Sequence, residues 1–117
     1  VGMTVATVSP ESHDEIVAHI SHLPHLLAST LCAYLAGRDS NWRNFAGNGL
    51  RDTTRIAAGD PAMWKSIVVQ NKEEILRSLA GFEDELARLR SAIHNDNVFE
   101  LLRLLEHGKT YRDQLPL

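Results

Sequence analysis

Ile75, Leu79, Phe82, Leu86, Leu89 and Ile93 recur at alternating steps of four and three residues, a period that lines one stripe of an α-helix. A stripe of that length is a seam, stable only when a second helix covers it. No segment of the chain alternates as a half-buried strand does, so the constraint extends to the whole fold: all-α, with about five or six helices.

The other elements follow from local punctuation. Ser9-Pro10-Glu11 is a helix entrance, with a hydroxyl to cap, a proline suited to the first turn and an acid that complements the helix dipole. From there Ile16, Ile20, Leu23, Leu27, Leu31 and Tyr34 mark one buried face until Gly37 stops the helix. Pro24 lies on this run and predicts a kink between Ile20 and Pro24, because proline lacks a backbone donor and crowds the carbonyl four residues earlier. Arg38 to Gly59 is irregular, with short helices predicted around Trp42–Ala46 and Asp52–Ala58. Asp60-Pro61 repeats the entrance signal for a helix ending near Gln70. Asn71 with Glu74 reads as a capping pair. Asn95-Asp96-Asn97 breaks the seam helix, and Val98, Leu101, Leu102 and Leu105 predict a last amphipathic helix that Gly108 closes.

The chain of 117 residues has the size of one domain, small enough to gain from a partner subunit. A net charge of −3 gives no general attraction to nucleic acid or anionic lipid. A single cysteine, Cys32, cannot form an internal disulfide, so an oxidising compartment is not required and the cytoplasm is the expected location. The apolar run from Leu26 to Ala36 is too short for a membrane span, and no signal peptide precedes it. Val1-Gly2-Met3, followed by the β-leaning Thr4 to Val8, reads as the inside of a longer parent chain.

Two segments could carry chemistry. His19, His22 and His25 follow one another at three-residue steps. A zinc site needs further ligands that Cys32 alone does not provide, so no metal is expected. Within Ser21-His22-Leu23-Pro24-His25 the proline opens the backbone beside two imidazoles and a hydroxyl, as a ligand pocket would. Asn48-Gly49-Leu50-Arg51-Asp52-Thr53-Thr54-Arg55 leads a glycine-containing turn into a short helix with two guanidiniums. Arg forks match carboxylates, so a small dianionic acid fits this segment; a surface ion pair of Asp52 with Arg51 or Arg55 is the plainer alternative. Trp64 on its own reads as a core residue.

Taken together, His13-Asp14, the run Ser21 to His25, the run Gly49 to Ala57 and Asp60-Pro61-Ala62-Met63-Trp64 resemble the prephenate (or arogenate) dehydrogenase family in order and spacing. The resemblance covers residues 9–117 and implies that family's helical C-terminal domain, of the 6-phosphogluconate-dehydrogenase-like class, with residues 1–8 as the end of an interdomain strand or linker. It implies that Arg55 binds a substrate carboxylate, that His25 contacts the other end of the dianion, and that Trp64 reaches the neighbouring subunit's site in a homodimer. His22, Asp52, Asn48 and Gly49 are implied pocket residues, and His13 with Asp14 an entrance or hinge pair. Asn48 and Leu50 replace the family's usual glycine and phenylalanine, which puts feedback contacts to tyrosine in this loop in doubt; asparagine is the substitute that best tolerates left-handed backbone angles. The family's NAD (or NADP) sits on an N-terminal Rossmann domain that also carries the catalytic histidine. No G-x-G-x-x-G turn occurs in this chain, so the chain alone is expected to bind no cofactor and not to turn over. A helical dimerisation module without catalytic duty is the alternative.

Overall fold

The computed structural model describes residues 7–117. The expectation for residues 1–6 of the linker lies outside the described residues. The described chain is all-α, without a strand among its described residues, and divides into two compact units, Ser9–Leu79 and one that contains Ala80–Leu117.

In the first unit, α1 (Pro10–Val17) starts where expected, its Ser12 amide donating to Ser9 Oγ at 3.2 Å. A π turn (Ala18–His22) and α2 (Leu23–Ala36) continue it. The kink expected at Pro24 takes the form of this π turn. Proline cannot bond to Ile20, and the wider turn absorbs the conflict one residue earlier, with the Leu23 amide reaching back to the Ala18 carbonyl. The continuous helical stretch, Pro10–Ala36, is 27 residues long and satisfies the length and composition of a membrane span, which corrects the expectation that its apolar run is too short. Four histidines lie along it together with Pro10 and Pro24, and ionisable groups in hydrocarbon are costly.

Gly37 ends α2 with φ −83°, so the helix stops through 3₁₀-type bonds from Gly37 to Tyr34 and from Arg38 to Leu35, with no left-handed residue. The irregular centre is a 3₁₀ turn (Ser40–Phe45), α3 (Asn48–Thr54) and a second 3₁₀ turn (Arg55–Ala58). Thus the second short helix begins at Asn48, four residues before its predicted start. Asn48 is helical, and its tolerance of left-handed angles goes unused. Helix α2 packs against α3 and against the Arg55–Ala58 turn. Asp60 caps α4 (Pro61–Gln70), accepting from the Ala62 amide at 3.0 Å.

The seam helix is α5 (Lys72–His94), and the unit boundary falls inside it. Asn71 and Glu74 do not cap it as a pair: the Asn71 amide donates to the Asp14 carbonyl instead, and Glu74 pairs with Arg77. Ile75 is buried, and Ser78 beside it donates to the Ile75 carbonyl at 2.7 Å, so its hydroxyl carries no unmet polar cost.

In the second unit α5 closes on Asp96, at φ 51° the one non-glycine residue with positive φ among the described residues. Asn97 N–H bonds to the Ala92 carbonyl at 2.9 Å and Asp96 N–H to Ile93 at 3.2 Å, a Schellman closure with aspartate in the usual glycine place. Asn97 also caps α6 (Val98–Gln114) through the Glu100 amide at 3.1 Å. Gly108 does not close α6. An internal glycine costs a helix only about 1 kcal/mol, whereas Pro116 forces Leu115 into extended backbone and ends it. The inner face of α6 is also shifted: Leu101 and Leu104 are half-buried, while Val98, Leu102 and Leu105 are exposed.

Candidate functional site

The Asp14 and Glu15 carbonyls both accept from the Ala18 amide at the end of α1, and each keeps a lone pair for a further donor. His19 Nδ1 lies 2.9 Å from the Glu15 carbonyl, and the Asn71 side-chain amide donates to the Asp14 carbonyl at 3.0 Å. That second bond ties the start of α5 to the end of α1 and leaves Asn71 Nδ2 3.4 Å from His22 Nδ1. His22 is half-buried with its ring edge-on to Trp64, centroids 6.0 Å apart at 84°. Burial pulls its pKa below the ordinary value of 6.5, and the Asp14 carboxylate opposes that shift.

His25 follows three residues on. It is 5% exposed and stacks face to face on Trp64 of its own chain, centroids 3.7 Å apart and planes 10° from parallel. Unlike His19 and His22, it has no hydrogen-bond partner among the described residues. Gly59 makes the stack possible: a Cβ there would lie 3.0 Å from the Trp64 indole nitrogen and 3.1 Å from His25 Cε1. The imidazole and indole line a cavity of about 310 Å³ whose wall is mainly apolar, with Val68, Ala57 and Lys65 beside them. That is the lower end of the size range of small-molecule sites.

A separate cavity of about 350 Å³ gathers His13, Asp14, Ser21, His22 and Asn71. His13 and Asp14 are exposed and 3.8 Å apart. The structure therefore joins His25 with Trp64, and His22 with the His13-Asp14 pair, Trp64 touching both imidazoles. It does not bring the residues of the α3 region into either cavity. Asn48 and Gly49 lie exposed on the first turn of α3, and Asp52 pairs with Arg51 at 3.6 Å, the plainer alternative for that segment. Arg55 is exposed on the 3₁₀ turn that packs against α2. Trp64, expected in a neighbouring subunit's pocket, walls its own; being half-buried, it keeps part of its ring for such a second contact. Among the described residues no three His, Cys, Asp or Glu side chains are grouped to hold a metal ion.

Sequence reasoning missed three participants. Gly59 was signalled only by its place before the Asp60-Pro61 entrance. Lys65 had no signal beyond its position one residue after Trp64. Asn71 had a misleading one, since an asparagine before a helix normally caps it.

The family described as the prephenate dehydrogenase dimerization domain matches residues 9–107. Among individual proteins, the chain is 36% identical over 113 residues to a prephenate dehydrogenase of Bacillus subtilis, covering 94% of this chain and 30% of that protein. Its fold superposes on a Synechocystis arogenate dehydrogenase with a TM-score of 0.88 at 32% identity, covering 97% of this chain and 42% of the other. It also superposes on an A. aeolicus prephenate dehydrogenase in complex with hydroxyphenyl propionate and NAD+, with a TM-score of 0.87 at 35% identity, covering 95% and 40%. The chain thus spans between 30% and 42% of the length of these relatives.

Proposed function

The chain belongs to the family of prephenate dehydrogenase dimerization domains, and from that premise we propose that it is the substrate-binding and dimer-forming part of an NAD-dependent prephenate dehydrogenase. The observation that carries this reading is His25, a buried imidazole stacked on Trp64, facing a cavity and without a hydrogen-bond partner among the described residues. No buried side-chain nitrogen or oxygen among the described residues lacks a partner, so the ring nitrogens of His25 keep access to solvent and are open to a partner that a ligand supplies.

The proposed reaction is oxidative decarboxylation: ring C4 of prephenate loses a hydride, carbon dioxide leaves, and 4-hydroxyphenylpyruvate forms, with aromatisation as the driving force. NAD supplies the hydride acceptor. Nothing in this chain is built to hold it, since no G-x-G-x-x-G turn is present, so cofactor and catalytic histidine belong to a nucleotide-binding half and the chain alone is inactive. The chain's own residues bind and orient. Arg55 takes one carboxylate in a bidentate fork and His25 meets the other end of the dianion. The pocket proposed for the assembled enzyme is wider than either cavity of this chain: His22, Asp52, Asn48 and Gly49 border it there, His13 with Asp14 stands at its entrance, and Trp64 orients His25 while offering its free part to the second subunit.

The dimer forms through the second unit, where Phe82, Leu86, Leu89, Leu104, Leu105 and Tyr111 line an apolar groove of about 680 Å³. With Leu86, Leu102, Leu105 and Tyr111 exposed in this unit, the groove is apolar surface that a second subunit can cover. A second reading, arogenate in place of prephenate, is favoured by the Synechocystis relative and differs by one amino for one keto group.

In the enzyme assembled with its nucleotide-binding half, Arg55→Ala should raise KM for prephenate about ten- to a hundredfold, the equivalent of roughly 1.5–3 kcal/mol for a charged hydrogen bond. An unchanged KM would leave only a scaffold.

A further inference from the structure

Asn71 stands between two groups with fixed hydrogen-bonding roles. A backbone carbonyl can only accept, so the atom of Asn71 facing the Asp14 carbonyl at 3.0 Å is the amide nitrogen. The same nitrogen, with its second hydrogen, lies 3.4 Å from His22 Nδ1. That ring atom therefore meets a donor and must present its lone pair. A proton on Nδ1 would face an N–H.

We propose that Asn71 is a positioning residue that holds the His22 imidazole as the neutral Nε2–H tautomer, so that the ring offers one donor and no charge to whatever occupies the site. The anchor is the Asp14 carbonyl in α1, which accepts from the Ala18 amide and from Asn71, and the bond formed there keeps the amide from rotating its oxygen toward His22. The depressed pKa of His22 agrees in direction, its main cause being burial. Around the ring, α1 contributes the charged or titratable Asp14 and His13, and α4 contributes the uncharged Ile67, Gln70 and the Trp64 edge. Lys72, Glu73 and Glu74 of α5 line an adjoining cavity that Asn71 and Asp14 share. Asp14 is the neighbour that favours the imidazolium, and the Asn71 donor opposes it. The benefit to catalysis rests on the function proposed above; the tautomer does not.

The test is nitrogen NMR of the full chain at pH 7.5, with His22 assigned by its loss in His22→Gln. Nδ1 should resonate as an unprotonated and Nε2 as a protonated nitrogen. In Asn71→Ala the ring should relax toward a mixture of both tautomers, and in Asn71→Asp the His22 pKa should rise. A protonated Nδ1 in the unsubstituted chain overturns the proposal even if neither variant folds, as does an unchanged tautomer distribution in folded Asn71→Ala. In the assembled enzyme, Asn71→Ala should weaken prephenate binding and shift the acid limb of the kcat/KM profile. A flat kinetic result beside a positive NMR result would count against the substrate reading and leave the assignment of Asn71 in place.

Discussion

Residues 9–79 bury Ala18, Ala28, His25, Ile75 and Ser78, whereas residues 80–117 bury only Ala92 among the described residues. In the first unit the buried set is small and partly polar, and it is organised around an aromatic stack. In the second, Leu86, Ile93, Val98, Phe99, Leu102, Leu105 and Tyr111 all lie exposed along two helices. Three ion pairs of the i,i+3 or i,i+4 kind decorate this unit's part of α5 and α6; such surface pairs contribute little each and cannot replace a core. The contrast teaches that the two units solve different problems. Both leave large apolar side chains exposed, Ile20, Tyr34, Phe45 and Val69 in the first among them, but the first also assembles groups of defined chemistry from its own helices, whereas the second offers chiefly apolar surface to be covered by something else.

The sharpest way to break that comparison is to charge the groove. Leu105 lines it while remaining 59% exposed, so Leu105→Glu should cost the unit's own fold little. If the groove is the dimer surface, the dimer should weaken by a hundredfold or more, about 2.7 kcal/mol or above, read by analytical ultracentrifugation. The near-ultraviolet circular dichroism of the His25–Trp64 stack should not change. A dimer constant that stays put would show that the exposed apolar residues serve some other end.

The converse substitution attacks the first unit. Gly59→Ala puts a methyl group 3.0 Å from the indole and 3.1 Å from the imidazole, forcing the stack to shift at a cost of roughly 1–3 kcal/mol. Tryptophan fluorescence and urea unfolding should both report it, with self-association untouched. Loss of the dimer in this variant would join the two units in one function and dissolve the distinction.

Much of this architecture is legible in the sequence wherever its cause is local. Ser9-Pro10 and Asp60-Pro61 act within one turn, and the Ile75–Ile93 seam is a property of a single helix, so both can be read directly. Pro24 signals its interruption for the same reason. Errors arise where a local signal competes with a distant partner or with an alternative local solution. Asn71 looks like a cap, yet its bond is to a carbonyl 57 positions away. Gly108 looks like a stop, but the periodicity around it carries the helix through to Pro116. Of the site, the residues singled out from Ser21 to His25 and Trp64 do meet. Their meeting depends on Gly59, whose importance is the absence of a side chain at a close approach and leaves no trace in a single sequence.

Glycine also offers a test in which the two units respond with opposite sign. Gly81 lies within α5, and a methyl group on its Cα would meet nothing within 4 Å, so Gly81→Ala should stabilise the chain by about 0.5–1 kcal/mol through helix propensity alone. A destabilised Gly81→Ala in thermal unfolding would mean that this face of α5 is already in contact with a partner.

The smallest expected effect comes from His22. Its folded-state pKa lies below the unfolded value of 6.5 because burial disfavours the imidazolium. Below pH 6.5 the unfolded chain therefore binds more protons than the folded one, so stability contributed by neutral His22 is complete above that pH. It declines as pH falls from 6.5 to the depressed folded value, and is flat beyond it. Urea unfolding of the chain at pH 7.5 and pH 5.5 should show this loss, and His22→Gln should show less of it. The loss belongs to the first unit alone, since His22, its opposing neighbour Asp14 and the adjoining Asn71 all lie between Ser9 and Leu79. Hydrogen exchange, corrected for its intrinsic slowing as pH falls, should accordingly quicken at pH 5.5 in α1 and α4 while α6 keeps its corrected rate. Equal quickening in α6 would mean that the two units unfold as one, and their separate construction would then have no energetic counterpart.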